Sequence, residues 1–313
     1  MRNMVLARAG GGSRRWGTML RDGVALMAIP VIGLQFVHAI VAPATFTDAV
    51  AYYTTSATDP YRFSTLATPM AYLYSPAFLQ AIAPLRALPE WGFVLAIVLA
   101  EAGALLLLTG RNIGWTLFLL VPIWELSLGN INLLLAVAIV VGFRYPAAWA
   151  TVLLTKVTPG VGVLWFAARR EWGSLAAALG ATAVIAAVSF VFAPGQWTAW
   201  LGVLRANGTH PVAQAFAAEL PARVAIAALA VLWGARTDRR WVVPVAAAVA
   251  TPGLSLISAS IVIGAVPLLT QTPLSWRPRK AAAGHPTAAQ TPGTPDDAAH
   301  DAAPQAASSV AVQ

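Results

Sequence analysis

The chain has 313 residues, of which 58% are hydrophobic and only 10% are charged, whereas an ordinary soluble domain has roughly 25% charged residues. This composition excludes a soluble globular enzyme and predicts an all-α polytopic membrane protein. The chain contains no cysteine, which excludes disulfides, thiolate metal sites and a cysteine nucleophile. The net charge of +8 comes mostly from short basic clusters between apolar segments, so it indicates membrane topology before nucleic-acid binding.

The N-terminal part predicts one span and then a long polar loop. Residues 1–22 form a basic segment that the positive-inside rule places in the cytoplasm. Residues 23–42 are apolar enough to cross a hydrocarbon core of ~30 Å, so residues 43–90 form an extracytoplasmic loop. The next span, 91–109, contains Glu101, which we expect to be protonated against a neighbouring helix. The alternative is a glutamate that faces a polar cavity.

The middle of the chain predicts short, broken membrane segments. Residues 115–123 and 131–143 are apolar arms around a polar tip, and each is too short for a full bilayer, so the tip lies in a protein-lined cavity. Residues 146–166 predict a hairpin of two half-helices broken at Pro159; a single span is the alternative. Residues 175–192 then lead to a second extracytoplasmic loop, 194–220.

The remainder predicts three further apolar segments and a polar tail. The segments are residues 223–233, 242–250 and 254–269. The total is about ten transmembrane or half-membrane helices within a membrane domain of residues 23–280, with both termini cytoplasmic and the plasma (inner) membrane as the location. Residues 281–313 lack apolar periodicity and predict a disordered cytoplasmic tail.

The first extracytoplasmic loop has the densest group of chemically useful side chains. If residues 47–58 are helical, Asp48, Tyr52 and Asp59 share one face, and Pro60 ends the helix. The two carboxylates are then about 16 Å apart, too far for a dyad, so one acid does chemistry while the other binds or caps. The alternative is a polar turn whose tyrosines form an interfacial belt.

Five short motifs follow one another in an order that resembles glycosyltransferase family 87, a family of membrane enzymes with the GT-C fold that includes polyprenol-phosphate-mannose-dependent mannosyltransferases. Ser75, Asn130 and Val157 depart from the family's usual residues. The motifs are Asp48-x3-Tyr52, Asp59-Pro60-Tyr61, Tyr72-x-Tyr74-x-Pro76, Gly129-Asn130-x-Asn132 and Lys156-x-x-Pro159.

The resemblance implies a GT-C-like helical bundle with an extracytoplasmic catalytic loop after the first helix. It implies inverting transfer of a hexose, most often mannose, from a polyprenyl phosphate carrier to a lipid or glycan acceptor. Asp48 is then the general base, and no cofactor, metal or nucleic acid is expected. Cations suited to the donor phosphate are Lys156, Arg62 and Arg205. The predicted substrate-binding residues are Tyr52, Asp59, Tyr61, Tyr72, Tyr74, Asn130, Asn132 and His210.

Two other functions fit the same sequence. A secondary transporter or lipid flippase shares the broken helices and intramembrane charges, although the acids of the first loop favour an enzyme. A non-catalytic relative that scaffolds envelope assembly is the second alternative, because several motif residues are altered.

Overall fold

The computed structural model describes residues 46–62, 64, 71–118, 121–209, 220–252 and 256–270, and these are helices and connecting turns without a β-strand. The first predicted span, the C-terminal tail and His210 lie outside the described residues. The α-helices are α1 Thr47–Thr54, α2 Pro76–Ile82, α3 Glu90–Thr109, α4 Ile113–Phe118, α5 Val121–Leu128, α6 Asn132–Gly142, α7 Trp149–Thr155, α8 Leu164–Ala168, α9 Trp172–Phe192, α10 Pro194–Thr209, α11 Leu220–Arg236, α12 Val242–Val249 and α13 Ala265–Thr270. The 3₁₀ helices are Leu85–Ala87, Gly110–Asn112, Pro146–Ala148, Thr158–Val163 and Leu256–Gly264.

Two helices in the described part of the chain are long and apolar enough to cross a membrane. They are α3 and α9, and the bent pair α5–α6 makes a third if it counts as one span. The residues predicted as further spans include shorter apolar helices, at Pro146–Thr155, Thr158–Ala168 and Ser258–Leu269. The described part of the chain is thus helical, as predicted, and contains two or three helices of membrane length beside the shorter apolar ones.

Helix α1 is shorter than predicted, and this corrects the placement of Asp59. The helix ends at Thr54 rather than residue 58. Beyond it, the Ser56 hydroxyl oxygen accepts hydrogen bonds from the backbone N–H of Thr58 (3.3 Å) and of Asp59 (3.1 Å). Such a side-chain turn competes with helical hydrogen bonding. Asp59 therefore lies in a turn and does not share a helix face with Asp48.

The predicted arms around a polar tip are present as α5 and α6, bent by 113°. Gly129 makes the bend with φ +65°, and a Cβ on it would meet the Ala49 Cβ at 2.6 Å. Only glycine adopts this backbone freely and allows that approach. The tip is thus pressed against α1, which carries Asp48.

The second predicted hairpin is broken one turn earlier than expected. Helix α7 ends at Thr155, Lys156 has extended backbone (φ −127°, ψ 100°), and Pro159 lies inside the first turn of the following 3₁₀ helix. A proline is tolerated in a first turn, because its missing N–H would be unpaired there in any case. The chain therefore opens at Lys156 itself.

The segment predicted as the second extracytoplasmic loop, residues 194–220, is helical in its first part, as α10. Two tryptophans fix this helix to the bundle. The Trp200 indole N–H donates to the Leu73 carbonyl (3.2 Å), and the Trp197 indole N–H donates to the Ser189 hydroxyl (3.1 Å). Indole N–H groups that are removed from water need such partners, and these two contacts hold α10 against the bundle.

Helix α6 lies between the two main hydrophobic clusters. Leu133, Ala136 and Val140 belong to the cluster that includes α1, α2 and α3. Leu135 and Ile139 belong to the cluster that includes α7, α11 and α12. A helix that is apolar on both sides is buried, and the polar tip that precedes α6 is held at a fixed place in the bundle.

Candidate active site

Asp48 is joined to Lys156 through the side chain of Asn130. The Asn130 Nδ2 donates to the Asp48 Oδ2 at 2.5 Å, and the Asn130 Oδ1 accepts from the Lys156 Nζ at 3.3 Å. Asp48 is on α1, Asn130 is at the bent tip, and Lys156 is at the break after α7. Three segments far apart in sequence therefore meet at one bridging amide.

A second asparagine joins the same lysine to a second acid. The Lys156 Nζ donates to the Asn132 Oδ1 at 2.5 Å. The Asn132 Nδ2 donates to the Glu125 Oε2 (3.3 Å), and the Asn132 backbone N–H donates to the Glu125 Oε1 (2.7 Å). The sequence of groups is acid, amide, ammonium, amide, acid, with Lys156 in the centre. We refer to Asp48, Asn130, Lys156, Asn132 and Glu125 as the shared-lysine network.

The backbone of the tip explains why both amides reach one cation. Ile131 is buried and its N–H donates to the Asn130 Oδ1 (2.7 Å). Asn132 is the first residue of α6, where a free backbone N–H favours a nearby carboxylate. The Glu125 carboxylate accepts the hydrogen bond from this N–H and so fixes the start of α6 beside the tip.

Asp48 is partly buried, and burial raises its pKa above the ordinary aspartate value. The hydrogen bond from Asn130 and the positive charge of Lys156 act in the opposite direction. A carboxylate with a raised pKa that still accepts a hydrogen bond is suited to taking a proton from a hydroxyl group.

Tyrosines wall the site on the Asp48 side. The Tyr52 and Tyr74 hydroxyls share a hydrogen bond of 2.8 Å, and the Tyr61 hydroxyl donates to the Tyr74 carbonyl at 2.7 Å. The Lys156 Nζ lies 5.9 Å from the centre of the Tyr74 ring, within the range of a cation–π contact. Burial raises the pKa of Tyr52 and Tyr72 well above the ordinary value, so these phenols stay neutral. They pack in the core, at 2% exposure each, and do not form an interfacial belt.

Asp59 and Tyr61 line a separate cavity of about 270 Å³. Its other walls include Phe192 and Gln196, at the junction of α9 and α10. The Gln196 Nε2 donates to the Ala57 carbonyl (2.7 Å) and so joins the start of α10 to the turn that carries Asp59. The carboxylate of Asp59 is exposed there.

Residues 72–283 match the sequence profile of glycosyltransferase family 87. The matched part is about two thirds of the chain. The chain belongs to glycosyltransferase family 87. Neither the curated proteins nor the solved structures contain a match to it.

The family match covers most of the shared-lysine network. Asn130, Asn132, Lys156 and Glu125 lie within residues 72–283, and Asp48 precedes them. The evidence that Asp48 belongs to the same site is therefore its hydrogen bond from Asn130, which lies within the matched residues.

One departure from the family motifs has a structural explanation. Ser75, where the family usually has proline, caps α2: its hydroxyl oxygen accepts from the Phe78 N–H (3.4 Å) and its hydroxyl donates to the Leu154 carbonyl. The cap stabilises the start of α2 and joins it to α7, next to Lys156.

The other predicted cations are elsewhere on the surface. Arg62 is exposed after the Asp59 turn, and Arg205 is exposed on α10. Of the three predicted phosphate ligands, the structure brings Lys156 alone into the hydrogen-bonded group with Asp48 that is described above.

Two buried acids were not predicted as site residues. Glu125 is 0% exposed within the network, and Glu101 is 0% exposed on α3. The Glu101 Oε1 accepts from the Leu134 N–H of α6 (3.4 Å), while its Oε2 has no hydrogen-bond partner in the described structure. The expected neighbouring helix for Glu101 is therefore α6. A signal for Glu125 was available, because an acid inside an apolar arm is costly unless it is paired.

Proposed function

We propose that the protein transfers a hexose, with mannose as the first candidate, from a polyprenyl phosphate carrier to a lipid or glycan acceptor at the extracytoplasmic face of the plasma membrane. Membership of glycosyltransferase family 87 supports transfer of a sugar. The observation that supports the proposed chemistry is the contact of Asp48 with Asn130, which brings a carboxylate of raised pKa close to the cation of Lys156.

Asp48 is the general base in this proposal. Its carboxylate takes the proton of the acceptor hydroxyl as the hydroxyl oxygen attacks the anomeric carbon of the donor. The bond from that carbon to the phosphate oxygen breaks, and the polyprenyl phosphate leaves with the bonding electron pair. A positioned base of this kind contributes typically 10²–10⁴-fold to the rate.

Lys156 stabilises the leaving phosphate. An ammonium group has three N–H donors, and Asn130 and Asn132 accept two of those of Lys156. We assign the third to a phosphate oxygen, where a fixed positive charge favours the developing negative charge. Arg62 and Arg205 are secondary phosphate partners, exposed to the donor as it approaches.

The proposal implies inversion at the anomeric carbon. A retaining double displacement requires a second carboxylate that is free to attack near the first. Glu125 is the second acid of the network, but it is fully buried and both of its oxygens accept hydrogen bonds from Asn132. Direct displacement with one base is the mechanism that these contacts support.

The cavity beside Asp59 is the proposed acceptor site. Its volume of about 270 Å³ is sufficient for one sugar ring, and Asp59 offers a carboxylate to sugar hydroxyls. Tyr61 lines the same cavity and donates to the Tyr74 carbonyl, so it connects the acceptor to the tyrosines near Asp48. Tyr52 and Tyr72 are buried at 2% exposure each, so in this proposal they support the wall of the site from behind, and His210 is a further proposed substrate-binding residue.

Sugar transfer by purified protein in nanodiscs tests the proposal. Radiolabelled polyprenyl phosphate mannose is incubated with an envelope lipid extract and either wild type or the Asp48→Asn variant. We expect labelled product with the wild type and a loss of about 10²–10⁴-fold in the variant. Equal labelling by the two proteins excludes Asp48 as the base, and no labelling across several donor sugars rejects the transferase proposal.

A lipid transporter is the second candidate, and one observation favours it. Glu125 and Lys156 are ionisable side chains beside breaks between apolar helices, and Glu101 is buried inside the apolar helix α3, as in transporters. Reconstituted vesicles that contain a fluorescent polyprenyl phosphate distinguish the two functions. Movement of the lipid across the bilayer without formation of a glycosylated product favours transport.

A further inference from the structure

Glu125 and the proposed base, Asp48, are the two ends of the shared-lysine network, and Asn130, Lys156 and Asn132 lie between them. Its two oxygens both face N–H donors of Asn132. A carboxylate accepts at both oxygens, whereas a carboxylic acid needs an acceptor for its own O–H. The geometry is therefore that of a carboxylate at Glu125.

The Glu125 carboxylate determines which way the Asn132 amide faces. An amide has donors on Nδ2 and an acceptor on Oδ1. With Nδ2 directed to Glu125 at 3.3 Å, Oδ1 is directed to the Lys156 Nζ at 2.5 Å. The opposite rotamer would turn N–H groups toward the ammonium group, which cannot accept them.

The position of Lys156 then affects Asp48 through Asn130. The Asn130 Oδ1 accepts from Lys156, and this leaves its Nδ2 directed to Asp48. The two bridges have the same arrangement, and both converge on one cation. Displacement of Lys156 thus has two effects: Asp48 loses a nearby positive charge, and the Asn130 amide loses the partner that orients it.

We propose that Glu125 is a positioning residue for the glycosyl transfer: through Asn132 it fixes Lys156, and through Lys156 and Asn130 it fixes the orientation and the protonation of Asp48. This inference rests on the proposed function of Asp48 as the base. It assigns to Glu125 an indirect role, since Glu125 is fully buried and its contact with the rest of the network is through Asn132.

The charged and titratable groups around Asp48 determine the expected direction. Lys156 lowers the pKa of Asp48, and Tyr52, Tyr74 and Glu125 also interact with the Asp48 charge. Glu101, on α3, interacts with Lys156. If Lys156 is displaced, Asp48 loses its stabilising cation. Its pKa then rises, and a base that must be deprotonated becomes active only at higher pH.

A pair of variants tests this chain of contacts. In Glu125→Gln, the amide oxygen keeps the hydrogen bond from the Asn132 backbone N–H, and the amide N–H groups then face the Asn132 Nδ2. The Asn132 amide turns over as a result and directs its N–H groups at Lys156, which displaces the ammonium group. In the double variant Glu125→Gln/Asn132→Asp, the acid and the amide exchange places. The glutamine then donates to the aspartate, and the aspartate accepts from Lys156, which restores the contact and the net charge.

The first measurement does not depend on activity. Protein labelled with ¹³C at aspartate carboxyl carbons is titrated by NMR in nanodiscs, with Asp48→Asn to assign the signal. We expect the Asp48 midpoint to rise by about one pH unit in Glu125→Gln and to return toward the wild-type value in the double variant. Glu90→Gln, at the start of α3, is the matched control and leaves the midpoint unchanged.

The second measurement is the pH profile of sugar transfer. Glu125→Gln moves the acid limb of kcat to higher pH and lowers kcat about tenfold at neutral pH, with KM for the donor little changed, and the double variant reverses both effects. An unchanged Asp48 midpoint in Glu125→Gln, or a double variant that behaves as the single one, overturns the proposal. If no protein transfers sugar, the proposed function fails, while the NMR titration still decides the role of Glu125.

Discussion

Asn130 and Asn132 bring the acids and the cation of this site together. Each amide has a donor side and an acceptor side, and each presents the donor side to a carboxylate and the acceptor side to Lys156. A buried ammonium and two nearby carboxylates are costly unless every polar group is paired. The two asparagines supply that pairing and keep the carboxylates apart.

Removal of the Asn130 amide is expected to move the pH dependence of transfer. The pKa of Asp48 is raised by burial and lowered by the hydrogen bond from Asn130, so Asn130→Leu raises it further. The active form of a general base is deprotonated, and the acid limb of kcat/KM therefore shifts to higher pH, with partial recovery of rate above the new pKa. Asn130→Gln retains an amide and is the control. A limb that does not move in Asn130→Leu contradicts the assignment of Asp48 as the titrating base.

For single residues, the sequence predicts which side chains belong to the site better than it predicts which of them contact one another. Asp48, Asn130, Asn132 and Lys156 were all proposed as site residues, because their motifs are short and ordered along the chain. Glu125 was not, since it contacts Asn132 across the bend between α5 and α6, where helical periodicity no longer relates one residue to the next. The separation of Asp59 from Asp48 was expected, but the turn that takes Asp59 off the helix was missed, because the turn at Ser56 is decided by one side-chain oxygen.

Among the elements, the bent pair α5–α6 determines where the tip lies. Gly129 allows the bend, and its close approach to Ala49 presses the tip against α1. The sequence predicted two short arms and a buried polar tip from the lengths of the apolar stretches alone. It did not predict the contact with α1, which depends on the absence of a single Cβ.

A methyl group at residue 129 is expected to separate the tip from α1. In Gly129→Ala the new Cβ lies 2.6 Å from the Ala49 Cβ, and φ +65° is unfavourable for alanine by roughly 1–2 kcal/mol. We expect a lower thermal midpoint and a loss of sugar transfer of tenfold or more, because Asn130 withdraws from Asp48.

Gly103→Ala is the matched control for that variant. Gly103 is inside α3, and a Cβ there meets nothing within 4 Å. Alanine is favoured over glycine in a helix by up to about 1 kcal/mol, so Gly103→Ala retains activity and is at least as stable as the wild type. If Gly129→Ala is equally active, the approach of the tip to α1 is not required for the site.

For the whole molecule, α9 connects two chemically different ends. At its start, Arg169 forms ion pairs with Glu171 and Asp238, both at 2.9 Å. Arg236 ends α11, and Arg239 and Arg240 directly follow Asp238 in the chain. At its other end is the cavity with Asp59. The polar ends of the bundle were predicted from the basic clusters. The packing of α10 against the bundle was not predicted, because the spacing of its tryptophans does not distinguish a loop from a packed helix.

The charge difference between the ends of α9 predicts its orientation in the membrane. Helix α9 has 21 residues, a length of about 32 Å, which matches the hydrocarbon thickness of a bilayer. Basic residues concentrate at its first end, and by the positive-inside rule that end is cytoplasmic. The Asp59 cavity, joined to α10 through Gln196 and Ala57, is then extracytoplasmic, on the side where the proposed acceptor is glycosylated.

Single cysteines test this orientation directly, because the natural chain has none. Gly173 and Gly195 are exposed near opposite ends of α9, and a side chain at either meets nothing within 4 Å. We expect a membrane-impermeant maleimide to label Gly195→Cys in intact cells and to label Gly173→Cys only after permeabilisation. The two variants are matched in residue type and exposure, so a difference in labelling reports the side of the membrane.

Labelling of Gly173→Cys alone in intact cells would place Asp48 and the Asp59 cavity at the cytoplasmic face. A donor made and used there would then replace the extracytoplasmic reaction proposed above.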